Sequence, residues 1–256
     1  MRMINSHCGV AKDARGVVRL TICNAGPLNI LNSRVIDGVR QGVEEVAADE
    51  TNRVVIVAGE SDRSMIGGAD IKEMATLDQA SAERFITGLG RLCETVRTVP
   101  SPVIARIPGW CLGGGLEFAA ACDFRVATHD SKFAMPEVRV GIPSVIHAAL
   151  LPRLIGWSRT RYLLMTADTI DAKTALDWGL IDKIAPPGEL DDAVESLVES
   201  LLACAPQALR AQKALLTAWH DMPLRESVAH SIPVFGQSYL TGEPQRLMGE
   251  FVNRKR

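Results

Sequence analysis

The sequence predicts an α/β protein, with a core of alternating strands and helices followed by a helical C-terminal part. Two observations carry this expectation. Short runs rich in β-branched residues at 17–23, 54–58 and 103–107 alternate with segments whose apolar residues recur every three or four positions. Past Pro143 the strand-like runs all but stop, and nearly every segment has helical spacing. The 256 residues, 47% hydrophobic and 23% charged, suffice to bury a sizeable core without disulfides or metals.

Each element follows from local chemistry. Residues 1–12 hold no apolar core of signal-peptide length and read as a disordered terminus. The run at 17–23 is a strand, broken by Gly26-Pro27. Asn32 or Ser33 caps a helix that carries Val35, Ile36, Val39, Val43 and Val46 on one face. The apolar run at 54–58 suits a buried strand. Phe85, Leu89, Leu92 and Val96 mark a helix over 81–97. A strand at 103–107, a glycine-opened helix at 113–121 and a strand at 124–127 follow. Ser144 is expected to cap a helix at 145–150, with a second helix at 158–165. Asp171 caps 172–178, which Gly179 ends. Helices at 190–203, 206–220 and 243–256 complete the chain. Pro186-Pro187-Gly188 and Pro206 punctuate this region, and the chain is divided into a core at 13–190 and a helical region at 191–256.

Composition excludes several function classes. The formal net charge of −2 supplies no basic field for non-specific binding of nucleic acid. No stretch reaches the ~18 apolar residues of a membrane span. The six cysteines show no C-x-x-C spacing and read as buried, reduced thiols of a cytoplasmic protein. His7, His129, His147, His220 and His230 show no paired metal spacing, so no metal site is expected. Neither a G-x-S-x-G elbow nor a phosphate-binding G-x-x-x-x-G-K-[ST] loop occurs.

Three segments hold candidate chemistry. Gly113-Gly114-Gly115-Leu116-Glu117 puts three glycines at the start of an apolar helix. Bare backbone and free N–H groups there can serve a developing oxyanion. The same residues also fit a tight turn with Glu117 merely complementing the helix dipole. Gly67-Gly68-Ala69-Asp70 repeats the pattern at a second probable helix start, where an ordinary loop capped by Asp70 is the competing reading. In Met135-Pro136-Glu137, Pro136 fixes the approach of a carboxylate that either points into a cleft or sits exposed on a turn. Two carboxyls beside backbone-donor loops are what proton transfer next to a polarised carbonyl needs.

In order and spacing, these segments resemble the enoyl-CoA hydratase/isomerase (crotonase) family. The matching residues are Gly67-Gly68-Ala69-Asp70-Ile71-Lys72-Glu73-Met74, Pro108-Gly109-Trp110-Cys111-Leu112-Gly113-Gly114-Gly115-Leu116-Glu117, Cys122-Asp123-Phe124-Arg125 and Pro136-Glu137-Val138-Arg139. The segments 151–156 and 175–182 look similar to family segments too. The resemblance implies a spiral of β-β-α units, and a C-terminal helical region that drives assembly into trimers or pairs of trimers. It implies an acyl-CoA thioester as substrate, with coenzyme A arriving as part of that substrate and no further cofactor. By the same resemblance Ala69 and Gly114 supply the oxyanion-hole amides. Leu28, Asn29, Ile30, Gly68, Asp70, Ile71, Lys72 and Gly113 line the substrate, largely through backbone. Lys72, and Arg254 or Lys255 of a neighbouring subunit, are expected near the phosphates.

The resemblance also implies that Glu117 takes a proton from water while Glu137 delivers one to the α-carbon. Family isomerases often keep one of the two glutamates, so the retention of both favours hydration of a 2-enoyl-CoA. Isomerisation, thioester hydrolysis and decarboxylation remain alternatives, as does a non-catalytic binding member, including one that binds RNA. Family hydratases usually have a glycine-rich stretch after Pro143, whereas this chain reads Ser144-Val145-Ile146-His147-Ala148-Ala149. That bulk lies where the resemblance places the acyl pocket.

Overall fold

The computed structural model describes residues 1–254. Strands β1 (Arg2–Asn5) and β2 (Cys8–Lys12) form a hairpin, and β2 pairs antiparallel with β3 (Val17–Ile22), from Cys8 opposite Ile22 to Lys12 opposite Val18. The expectation of a disordered terminus is thereby corrected. The open edge of β3 carries backbone donors and acceptors that need partners, and Cys8 is fully buried in supplying them.

Helix α1 (Ser33–Ala48) is capped by Asn32, whose side chain accepts the Val35 N–H, and it buries the predicted valine face. Next come β4 (Val54–Gly59), β5 (Ser64–Ile66), the short α2 (Ile71–Met74) and α3 (Gln79–Arg97). All six residues of β4 are buried, as expected of an inner strand of a parallel sheet. Asp78 and Ser81 close a capping box that starts α3 ahead of the predicted position. Then follow β6 (Val103–Ile107), β7 (Trp110–Leu112), α4 (Gly114–Ala121), β8 (Phe124–Thr128) and β9 (Lys132–Ala134). Two 3-10 turns, Glu137–Val140 and Ile146–Leu150, lead into α5 (Leu151–Thr166), β10 (Ile170–Asp171), α6 (Ala172–Trp178) and β11 (Lys183–Ala185). Helices α7 (Leu190–Leu202), α8 (Pro206–Trp219), α9 (Leu224–Ser238) and α10 (Glu243–Arg254) end the described chain.

The strands sort into two sheets. The larger runs β1-β2-β3-β4-β6-β8-β11 and the smaller β10-β9-β7-β5. Thus β4, β6 and β8 add successive parallel strands to one sheet, while β5, β7 and β9, each next in the chain, add theirs to the other. Together with the intervening helices this is a spiral of β-β-α turns. The main core fills the space between the sheets and helices α1, α3 and α4. Helix α7 covers the far face of the large sheet, packing Leu190, Val194 and Val198 on Val54, Ile56, Ile104 and Val126. No described helix is long and apolar enough to cross a membrane.

The segment after Pro143 departs from expectation. Ser144 caps no helix; residues Ile146–Leu150 form a 3-10 turn with no side-chain cap. Ile146 sits at φ 37°, a conformation a β-branched residue rarely adopts and one that excludes a regular helix start. The predicted helix at 158–165 is the second half of α5, which begins at Leu151 and kinks at Gly156 (φ 78°). Helix α9, which the sequence reading did not single out, carries Pro233 inside it.

Candidate active site

Two backbone turns form the floor of the site. At the first, Leu31 bridges to Ala69: the Leu31 N–H donates to the Gly68 carbonyl (3.0 Å) and the Asp70 N–H to the Leu31 carbonyl (2.9 Å). The ladder therefore uses the groups on either side of Ala69 and leaves its own N–H turned away. At the second, Gly113 (φ 51°) joins the end of β9 to α4 by donating to the Ala134 carbonyl (2.9 Å), and Gly114 becomes the first helical residue. An N–H in the first helical turn has no partner within the helix. Among the described residues no acceptor takes the Ala69 or the Gly114 N–H.

Glycine is required by contact and by φ at Gly113, by contact at Gly115 and by φ (116°) at Gly68. A Cβ at Gly113 would collide with Glu137 Oε1, and one at Gly115 with the Ile66 carbonyl; one at Gly68 would lie 3.6 Å from the Leu112 carbonyl. The two turns thus lie against each other, through β5 and β7. Replacing Gly115 by Ala pushes a methyl group into fixed backbone. The expected outcome is a destabilisation of about 1–3 kcal/mol, seen as a lower Tm in thermal denaturation.

Both carboxyls reach this floor. Glu117, one turn into α4, is 3% exposed, and its Oε1 accepts the Ala148 N–H at 3.0 Å. Burial pushes its carboxyl up to about 8, the neighbouring Glu137 adds to this, and the Ala148 amide pulls the other way. A Cβ placed at Gly114 would lie 3.9 Å from Glu117 Oε2. Glu137, half-buried at the start of its 3-10 turn, is also raised by burial, opposed by its own backbone N–H and by the Ser144 hydroxyl, which donates to Oε2 at 2.9 Å. Each glutamate therefore keeps one oxygen beside the Gly113 and Gly114 turn while a donor holds the other. Next to this pair, Ser144, Val145, Ile146, Ala148, Pro152 and Trp157 line a cavity of about 540 Å³.

The remaining predicted residues gather on the rim. The Gly67 N–H donates to the Leu28 carbonyl (2.7 Å), so the Leu28, Asn29 and Ile30 loop packs beside Gly68. Asn29 is fully buried and donates from Nδ2 to the Ser64 carbonyl (2.7 Å); its side chain fastens the loop. Asp70 caps α2, accepting the Lys72 N–H at 2.9 Å. Ile71 and Lys72 are exposed on that helix. Of the positions expected near the phosphates, Lys255 lies outside the described residues and Arg254 is described through its backbone alone. The sequence reading missed the Ser144 and Ala148 contacts. Both lie in the altered segment, whose bulk was its only signal. His147 between them bonds through Nε2 to Glu94 (3.3 Å), and its buried Nδ1 has no partner among the described residues.

Comparison with known proteins concerns the sequence and the fold as a whole. The sequence model of the enoyl-CoA hydratase/isomerase family matches residues 12–256. A crotonyl-CoA hydratase of Syntrophomonas wolfei is 31% identical over 230 residues, covering 90% of this chain and 88% of that protein. A short-chain-enoyl-CoA hydratase of Clostridium acetobutylicum is 29% identical over 241 residues, 94% of this chain and 92% of that protein. The crystal structure of an enoyl-CoA hydratase of Mycobacterium smegmatis superposes with a TM-score of 0.93 at 25% identity, covering 98% of this chain and 97% of the other. With a family match running from β2 to the last residue and a fold that superposes over nearly its whole length, the chain belongs to the enoyl-CoA hydratase/isomerase family.

Proposed function

We propose that this chain adds water across the 2,3 double bond of a 2-enoyl-CoA thioester. The observation that carries the reading is the convergence of Glu117 and Glu137 on the turn formed by Gly113 and Gly114. The hydratase names of its relatives support it.

The thioester oxygen accepts the free N–H groups of Ala69 and Gly114, which draws negative charge onto it and makes the β-carbon electrophilic. A water between the carboxyls attacks that carbon. Glu117 takes the water proton as the C–O bond forms, and Glu137 gives its proton to the α-carbon. The pair holds one proton before and after the step, so the chemistry needs no group beyond the chain and its substrate. In the unliganded site deeper burial favours that proton on Glu117, the state the addition produces, and its return to Glu137 resets the pair.

The pH dependence follows from the count of one proton. Above about 8 Glu117 loses the pair's last proton and kcat/KM falls. In acid both carboxyls are protonated, no base remains, and kcat/KM falls again. Because burial raises Glu137, this acid limb lies above the ordinary carboxylate range. The two limbs belong to the coupled pair. A steady-state pH profile with crotonyl-CoA checks this; a rate that keeps rising past pH 9 would contradict the shared proton.

Assembly into a homotrimer or a dimer of trimers is part of the same reading. Leu224, Ile232 and Leu240, on α9 and the turn after it, are exposed large apolar residues of the kind that mark an interface. Sedimentation is expected to give the mass of three or six chains, and Ile232→Glu with Leu240→Glu to give single chains. The free, buried thiols of Cys8, Cys23, Cys93, Cys111 and Cys122 fit a reducing, cytoplasmic setting.

A further inference from the structure

We infer that Ser144 is a positioning residue for Glu137, holding one carboxylate oxygen so that the other faces the Gly113 turn. The inference rests on the reading of Glu137 as half of the acid–base pair. The Ser144 hydroxyl donates to Glu137 Oε2 at 2.9 Å, while Oε1 occupies the place where a Gly113 side chain would begin. The chain is built to return there. Gly141, in the left-handed region at φ 85°, turns it back, the Ile142 N–H donates to the Glu137 carbonyl (3.2 Å), and Pro143 then presents Ser144.

No other described side chain holds this carboxyl. Glu117 on α4 is the titratable group coupled to it. Arg139, on the same turn, pairs with Asp168 (3.0 Å). On α5, Arg153 bonds the His220 carbonyl, Arg159 the Trp178 carbonyl (3.1 Å), and Arg161 lies over the Trp157 ring. His147, on the following turn, is bonded to Glu94 (3.3 Å). A hydroxyl donating to a carboxylate favours its ionised form. Ser144 therefore fixes the direction of Glu137 and biases the pair's single proton toward Glu117. A glycine or alanine at this position can do neither.

The test is ¹³C NMR titration of the glutamate carboxyls in wild type, Ser144→Ala and Ser144→Thr, with Glu137→Gln to assign the Glu137 signal. Ser144→Gly replaces Ser144→Ala if the latter fails to fold. Loss of the hydroxyl is expected to shift the Glu137 titration upward by about one pH unit. The acid limb of the hydration profile is expected to move with it, and kcat/KM for crotonyl-CoA to fall about tenfold. Ser144→Thr, which keeps the hydroxyl, is expected to restore both. Unshifted titration and an unchanged acid limb in Ser144→Ala would overturn the inference and reduce Ser144 to a space-filling role. The titration needs no turnover, so a shifted Glu137 signal in a protein that hydrates no enoyl-CoA would sink the hydratase reading and leave the positioning role standing.

Discussion

Glu117→Gln is expected to lower kcat for crotonyl-CoA hydration by about 10²–10⁴-fold, and Glu137→Gln by the same order. Glutamine keeps the size and one acceptor oxygen of glutamate, so the Ala148 N–H still finds its partner at position 117 and the Ser144 hydroxyl at 137. What is lost is the ability to take or give a proton. Because the two carboxyls act on one water as a unit, the double variant is expected to be little slower than either single one. The folded state does not suffer. Glu117 is a buried carboxyl raised to about 8, and a neutral amide there is no harder to bury. Steady-state rates and Tm measured on the same preparations check both statements. A single variant that keeps more than a tenth of the wild-type kcat would remove that residue from the acid–base pair.

Gly114→Pro is expected to cost a further 10²–10³-fold in kcat relative to Gly114→Ala, about the worth of one oxyanion-hole donor. The comparison isolates a single N–H. Proline is accepted at the first position of a helix, where the missing N–H has no partner within the helix. Gly113 before it has ψ −125°, outside the helical region that proline disfavours in the preceding residue. Both variants bring a Cβ to within 2.7 Å of Leu89 Cδ2, the end of a side chain that can move, so that cost is common to the two. Rates measured at saturating crotonyl-CoA decide the matter. A proline variant as fast as the alanine one would mean that the Gly114 amide takes no charge in the reaction.

Much of this was legible where the cause is local. Asn32 and Asp171 cap helices because short polar side chains reach an N–H three residues on, and that reach is visible in one stretch of sequence. β4 is buried throughout, as its unbroken apolar run predicts. The glycines at 113–115 stand beside Glu117 in the chain, so an open backbone next to a carboxyl could be read directly. What was missed depends on partners far apart. Ala148 meets Glu117 across 31 positions, and only the spiral brings them together. Ser144 looked like a helix cap because Ser often is one, yet the left-handed Gly141 carries it back onto Glu137 instead. The terminal hairpin lacks a β-branched run in Arg2-Met3-Ile4-Asn5, and it is ordered by the ladder it completes on β3. The helix expected at 158–165 extends back to Leu151 through a kink at Gly156, because packing rather than local spacing carries the helix across that glycine.

Hydration is tested most directly by the product formed from crotonyl-CoA by the wild-type protein, followed as loss of the conjugated-thioester absorbance and identified by mass. The expected product is 3-hydroxyacyl-CoA, one water heavier than the substrate, with the added oxygen on the β-carbon when the reaction runs in ¹⁸O-labelled water. A folded protein that binds the substrate but shifts its double bond, or releases free coenzyme A instead, would contradict hydration as the reaction of the Glu117 and Glu137 pair.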